Sequence, residues 1–326
     1  MGEFELIKRY FKRPAKSAAL GVGDDCALLQ PVPGCQIAIS SDMLVQGRHF
    51  FADVDPHALG HKALAVNLSD LAACGAGPLA FTLALALPKA DLQWLEPFSR
   101  GLFALADAHA CELIGGDTTQ GPLNICITVF GEVPVADGRS LALLRSGARA
   151  GDDIYVSGTL GDARLALDSL LGKQVLPAAL LAQTRQRLEQ PTPRIALGMA
   201  LRGVATAAID ISDGLLGDLG HVLEASRVGA CIDTSIAATL MRCTGPQVDA
   251  ATTPETRLAC VLAGGDDYEL AFTAPAAARA EVHAVGLASA TLVRRIGQIQ
   301  GELGLRLVDA QGRLVANHYQ SFDHFA

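Results

Sequence analysis

Apolar runs of strand length alternate along this chain with stretches in which apolar residues recur at helical spacing. In the first half, Gln36–Ser40 (QIAIS), Pro78–Pro88 (PLAFTLALALP) and Asn124–Phe130 (NICITVF) predict strands. His57–Gly75 predicts a helix, with Leu64, Leu68 and Leu71 on one face and Asp70 inside it. The small, polar stretch Arg145–Gly151 (RSGARAG) interrupts the pattern, which then begins again. Asp153–Ser157 (DIYVS) predicts a strand, Gly158–Gly161 a tight turn and Asp162–Leu171 a helix. The strand Ala207–Ile211 (AAIDI), a helix through Glu224 and the strand Tyr268–Thr273 follow. Helices and strands are mixed in both halves, and 326 residues suit two domains. The expectation is an α+β chain with domains at 1–148 and 149–326.

The carboxylates concentrate where apolar runs end. Asp24, Asp25, Asp42, Asp70, Asp117, Asp210, Asp213, Asp266 and Asp267 are placed this way, most of them at predicted turns. Any one of them is explained by the ordinary preference of Asp for turns and helix caps. Together they ask for more. Glycines in Gly-Val-Gly-Asp-Asp, Gly-Gly-Asp and Gly-Gly-Asp-Asp would let backbone approach a ligand closely. Asp70, in an apolar helical stretch, needs a partner for its charge. The halves also echo each other faintly, Ala38–Asp42 (AISSD) against Ile209–Asp213 (IDISD) and Gly-Asp-Asp at 23–25 against 265–267. Two such domains facing each other would bring the acidic turns towards one cleft. The donors are hard oxygens, with no Cys/His spacing for zinc and no calcium-loop spacing, which points to Mg²⁺. His57 and His61 lie one helical turn apart without a metalloprotease motif and read as a solvated or packing pair.

Composition narrows the function classes. Half of the residues are apolar but only 5% are aromatic, so the cores must be built from Ala, Leu, Val and Ile. The longest apolar run is too short to span a membrane as a helix. The basic start is not followed by the apolar core of a signal peptide, and the eight cysteines never form C-x-x-C. A cytoplasmic protein with reduced cysteines is expected. The net charge of −8 argues against general nucleic-acid binding, yet it is compatible with a polyphosphate bridged to the chain by divalent metals. No P-loop occurs, since Gly172-Lys173 is followed by Gln174, and the protein-kinase signatures are missing. The Gly158-Thr159-Leu160-Gly161 turn reads equally as a phosphate site and as a plain strand–helix connection.

GVGDDCALL (21–29), ISSDMLVQGRHF (39–50), KALAVNLSDLAACGAGP (62–78), LIGGDTT (113–119), AIDISDGLLGDLGH (208–221) and GGDDYEL (264–270) resemble, in order, the motifs of the thiamine-monophosphate kinase family. The resemblance runs from Glu3-Phe4 to Phe322-Asp323-His324-Phe325. It implies an aminoimidazole ribonucleotide synthetase-like fold, with an N-terminal ATP- and metal-binding domain and a C-terminal α/β-sandwich domain. It also implies a homodimer built on the N-terminal domains, several Mg²⁺ ions, and ATP and thiamine monophosphate as substrates. Carried over residue by residue, Asp25, Ser40, Ser41, Asp42, Asp70, Asp117, Asp210 and Asp213 are the expected metal ligands. Asp42, Asp117 and Asp213 carry most of the catalytic expectation. Gly116, Asp117, Arg145 and Ser212 are expected at ATP, and His49, Asp266 and Tyr319 at thiamine phosphate. Two positions depart from the family pattern, which often has Glu at 266 and Trp at 319.

The residues are consistent with that chemistry. A phosphate acceptor is largely ionised at neutral pH, so no strong general base is needed. The obstacle is repulsion between anions, which bound divalent metals would relieve. Other ATP-using members of the superfamily are the nearest rivals. A selenophosphate synthetase would want a reactive Cys near its N-terminus, and residues 1–20 contain none. A non-catalytic sensor of Mg-ATP is the rival from another class. The aromatic tail His318–Phe325 (HYQSFDHF) is open to two readings, docking of the chain end and contact with a flat cationic heterocycle.

Overall fold

The computed structural model describes residues 2–322, so Asp323–Phe325 lie outside the described residues. The chain divides into two compact units, one containing the residues up to Leu71 with Ala76–Leu141, the other Ala72–Gly75 with everything from Ala142 on. No helix among the described residues is long and apolar enough to cross a membrane.

The first unit holds α1 (Glu3–Tyr10), β1 (Cys35–Val45), α2 (Pro56–Ala73), β2 (Gly77–Leu87), α3 (Leu92–Ala108), β3 (Glu112–Gln120), β4 (Asn124–Ala136) and the short β5 (Arg139–Ser140). Its sheet has the order β1-β4-β2-β3, with β5 paired to β4. Only β2 and β3 run parallel, and α3 makes the crossover between them. Burial alternates along β4 from Asn124 to Pro134. Ile125, Ile127, Val129 and Val133 are buried while Cys126, Thr128, Phe130 and Glu132 are half-buried, as expected when only one face is covered by helices. α2, anticipated from Leu64, Leu68 and Leu71, is buried nearly all round. It crosses α3 at backbone contact: a Cβ on Gly60 would lie 2.1 Å from Phe98 O, and one on Gly101 1.9 Å from His57 O. On the other face, Ala18, Ala27 and Leu29 of the N-terminal segment pack against Ala80, Ile114 and Phe130 at one end of the sheet.

The second unit is built on a seven-stranded sheet. Its elements are β6 (Asp153–Ser157), α4 (Asp162–Leu170), α5 (Ala178–Glu189), α6 (Ile195–Ala200), β7 (Ala207–Ile211), α7 (Leu215–Ser226), β8 (Gly229–Asp233), α8 (Thr234–Ala237), α9 (Pro246–Ala251), α10 (Pro254–Ala263), β9 (Glu269–Ala274), α11 (Arg279–Ala288), β10 (Val293–Gln300), β11 (Gly304–Val308) and β12 (Leu314–Val315). The order is β12-β11-β8-β10-β6-β9-β7, with β8 and β11 parallel and the other neighbours antiparallel. β6, β7 and β9 are buried along their whole length. Ile154, Val156, Ile209, Ile211 and Ala271 join Leu215, Leu219 and Val222 of α7 in one core. The mixed α+β architecture anticipated from the sequence is present in both units.

The core of the second unit also encloses charge. Glu269 is fully buried and is held by Arg187 at 3.0 Å, Arg194 at 2.5 and 2.6 Å, and the Ser157 hydroxyl at 2.6 Å. Removing one partner of a buried ion pair leaves a charge without compensation, whereas a peripheral pair contributes little. Arg194→Met should therefore lower the unfolding free energy by about 3 kcal/mol in chemical denaturation. Lys89→Met, which breaks the exposed pair with Asp91 at 2.9 Å, should cost less than about 1 kcal/mol. Equal losses in the two variants would contradict this ranking.

Candidate active site

In the first unit, Ser40, Ser41 and Asp42 stand inside β1, and Gly116 and Asp117 inside β3. The polar run Ser40-Ser41-Asp42 looks like the end of a strand in sequence, and Gly-Gly-Asp like a turn. Both expectations are corrected by the ladder: β4 and β2 are long enough to continue the pairing opposite them, and β1 and β3 are the outer strands of the β1-β4-β2-β3 order, where polar residues are tolerated. The Ser40 hydroxyl donates to Asp70 Oδ2 at 2.5 Å, and Asp42 N donates to the Asn67 side-chain oxygen at 3.0 Å, so both strand residues face α2. Ser41 faces the other way, with its hydroxyl 3.0 Å from Thr128 Oγ1.

Register separates two of the expected ligands. Asp42 pairs with Ile127, Ile127 with Leu83, and Leu83 with Gly116. Asp117 belongs to the next row, with Ala84, Cys126 and Met43. Asp42 and Asp117 therefore lie on opposite faces and on opposite sides of the sheet, three strand spacings or roughly 14 Å apart. Asp117 shares the open face with Ser41. Its carboxylate is exposed and takes no hydrogen bond among the described residues. Asp25 is exposed in the N-terminal segment, where its amide donates to Asp24 Oδ1 at 2.9 Å. His49 follows β1, and Val45 N donates to its Nδ1 at 3.0 Å, so the neutral ring carries its proton on Nε2.

In the second unit, Asp210 is buried near the end of β7, and Ser212-Asp213-Gly214 turn the chain into α7. The amides of Ser212, Asp213 and Gly214 all donate to Asp218 Oδ2 at 3.0 Å. Burial pushes the Asp218 carboxyl up to about 6, outweighing these hydrogen bonds. Asp218 was not singled out in the sequence. The only trace is its position in the first turn of the helix, where a carboxylate can reach back to the preceding amides. Asp266, at φ +64°, donates its amide to Ser212 O at 2.8 Å, so the Gly-Gly-Asp-Asp loop packs directly on this turn. Phe322 N donates to Asp213 O at 3.0 Å and the Ser321 hydroxyl accepts from Gly217 N at 2.9 Å, which brings the chain end to the same place. Tyr319 packs against the core of the unit and lines a pocket of about 410 Å³ with Arg164, Asp168, Glu255, Thr256 and Cys260. Ser212, Asp213, Asp266 and the tail after Tyr319 are thus gathered together. Arg145 is exposed, with its carbonyl taken by the Ser226 hydroxyl at 3.2 Å.

The Gly158–Gly161 turn is a connection and not a phosphate site. Gly158 N donates to Leu292 O, Leu160 N to Leu240 O, and Gly161 N to both oxygens of Asp267 at 3.0 Å. Burial raises the Asp267 carboxyl well above the ordinary carboxylate range, and this acid, the second of the Gly-Gly-Asp-Asp pair, serves the fold. Two of the motif glycines are likewise explained by packing. A Cβ on Gly116, at φ +145°, would lie 1.9 Å from Leu83 O, and one on Gly265 2.4 Å from Ser212 O.

Among the described residues, no group of three or more His, Cys, Asp or Glu side chains is gathered closely enough to hold a metal by itself. The donors that the motifs supply are carboxylates and hydroxyls offered singly or in pairs, as in Ser40 with Asp70. That set fits Mg²⁺, which keeps several waters and takes one or two carboxylates together with phosphate oxygens, better than an ion that needs a closed cage.

The family model described as AIR synthase related protein, N-terminal domain, matches residues 23–133. Thiamine-monophosphate kinase of Escherichia coli strain K12 is 45% identical over 332 residues, covering 100% of this chain and 98% of the relative. The crystal structure of thiamine-monophosphate kinase from Stenotrophomonas maltophilia K279a matches with a TM-score of 0.83 at 42% identity, over 96% of each chain. The structure of AaThiL complexed with AMPPCP and TMP matches with a TM-score of 0.75 at 28% identity, over 99% of this chain and 97% of that one.

The packing account of the motif glycines separates two neighbours. Gly116→Ala should cost at least ~2 kcal/mol, because the methyl group meets backbone of β2. Gly115→Ala, whose Cβ would meet only Thr82 Cγ2 at 3.8 Å, should cost less than about 1 kcal/mol. Urea unfolding of both variants reads the difference, and a stable Gly116→Ala protein would mean that the residue is glycine for another reason.

Proposed function

The chain belongs to the thiamine-monophosphate kinase family, and we propose that it uses ATP to convert thiamine monophosphate to thiamine diphosphate by direct in-line phosphoryl transfer assisted by several Mg²⁺ ions. The full-length relation at 45% identity carries this reading. Bound Mg²⁺ would neutralise charge on the phosphates and hold donor and acceptor in line.

The chain's own residues divide the work. Asp25, Ser40, Ser41, Asp42, Asp70 and Asp117 of the N-terminal domain, and Asp210 and Asp213 of the C-terminal domain, are the proposed metal ligands. Gly116, Arg145 and Ser212 join Asp117 in holding ATP. His49, whose Nδ1 accepts from Val45 N, is proposed at the thiamine phosphate. Asp266 and Tyr319 meet the cationic heterocycles, the first as a counter-charge and the second as an aromatic face. Tyr319 is both anchor and pocket wall, so the two readings of the aromatic tail are not exclusive.

A homodimer on the N-terminal domain is proposed with the open sheet face as its seam, where each copy would bring its own Ser41 and Asp117. Ile39 and Met43, 62% and 52% exposed on that face of β1, are the apolar surface such a partner would cover. The proposed location is the cytoplasm.

The test is turnover with product identification. Purified chain with ATP, Mg²⁺ and thiamine monophosphate should give thiamine diphosphate and ADP in equal amounts, with inversion at a γ-phosphorus made chiral by isotopes. Asp117→Asn should fold normally and lose on the order of 100-fold or more in kcat. Binding of Mg-ATP without turnover would make the chain a sensor, and retention at phosphorus would replace direct transfer with a phosphoenzyme.

A further inference from the structure

Three consecutive amides converging on one oxygen, ahead of a helix of twelve residues, form the kind of nest that elsewhere binds a phosphate. In this chain the anion is internal. Asp218 is 4% exposed, and its Oδ2 accepts from Ser212, Asp213 and Gly214 at equal distances of 3.0 Å. The other side of the same turn is also gripped, with Ser212 O taken by Asp266 N and Asp213 O by Phe322 N. Every described contact on this turn therefore fixes its backbone, while the Asp213 carboxylate takes no hydrogen bond among the described residues.

We infer that Asp218 is a positioning residue for the transfer reaction: it occupies the amide nest of the Ser212–Gly214 turn, closes that nest to substrate phosphate, and holds Ser212 and Asp213 with their side chains available to the reactants. This inference rests on the proposed function. A carboxylate at 218 and an amide at 218 have the same shape, and either offers an oxygen to the three N–H groups. A methyl group at 218 offers none. The turn would then be free to change conformation or to admit a phosphate oxygen where the Asp218 oxygen had been.

The experiment compares Asp218→Asn and Asp218→Ala in the full chain, by steady-state kinetics and by hydrogen exchange of the amides at 212–214. Asp218→Ala should lose on the order of 10–100-fold in kcat, the range found when a group supporting a ligand is removed. The KM for thiamine monophosphate should stay within about twofold, and the three amides should exchange fast. Asp218→Asn should restore slow exchange and bring kcat back to within about threefold of the natural chain. Wild-type kcat in Asp218→Ala, or loss of kcat in Asp218→Asn with the amides still protected, overturns the inference. If Asp218→Ala does not fold, Asp218→Asn decides the matter: protected amides with near-normal kcat support positioning, and unprotected amides with near-normal kcat refute it. A natural chain that does not turn over thiamine monophosphate sinks the proposed function instead, while the exchange data still report on the turn.

Discussion

The constraint on which this structure depends is what becomes of its carboxylates. A buried carboxylate must be compensated, and the protein does this mainly in two ways. Glu269 and Asp153 take arginines, Arg187 and Arg194 for the first, Arg279 and Arg295 for the second. Asp162, Asp267, Asp218 and Glu112 take backbone amides, from Arg242 and Cys243, from Gly161, from Ser212–Gly214 and from Lys16–Ala18 respectively. These acids are spent on the fold. Asp117 and Asp213 are different, since neither carboxylate takes a hydrogen bond among the described residues. Asp70, whose Oδ2 accepts from the Ser40 hydroxyl, stands between the two groups.

The strands legible in the sequence were those written as apolar runs, such as DIYVS and AAIDI, which become strands buried along their length, whereas the more polar β8, β10 and β11 were not read. α2 was legible from Leu64, Leu68 and Leu71, all of which are buried. What could not be read was pairing. Ser41-Asp42 and Gly116-Asp117 look like turn residues until β4 and β2 are seen to extend past them, and no local pattern carries that information. The motif glycines misled in a similar way. Gly116 and Gly265 keep side chains out of the protein's own backbone, a requirement visible only once distant segments are in contact. Asp218 was missed because a carboxylate in a helical first turn is commonplace, and only the three converging amides mark it out.

The same division of charge gives the reaction its character. Donor and acceptor are both phosphates, so the chain has no proton to remove and little covalent work to do. Its task is to hold like charges together, which internal arginines would do by neutralising the site permanently. On the proposed reading, Asp117 and Asp213, which take no hydrogen bond among the described residues, leave the neutralisation to ions that arrive with the nucleotide.

The central claim, that the motif aspartates act as a cation-holding set which admits ATP only with divalent metal, is tested most directly by titration calorimetry of ATP into the natural chain, with Mg²⁺ present and with it removed by chelation. Saturable binding with Mg²⁺ and none up to millimolar ATP without it is the predicted result. ATP binding of equal affinity in both conditions would contradict the account.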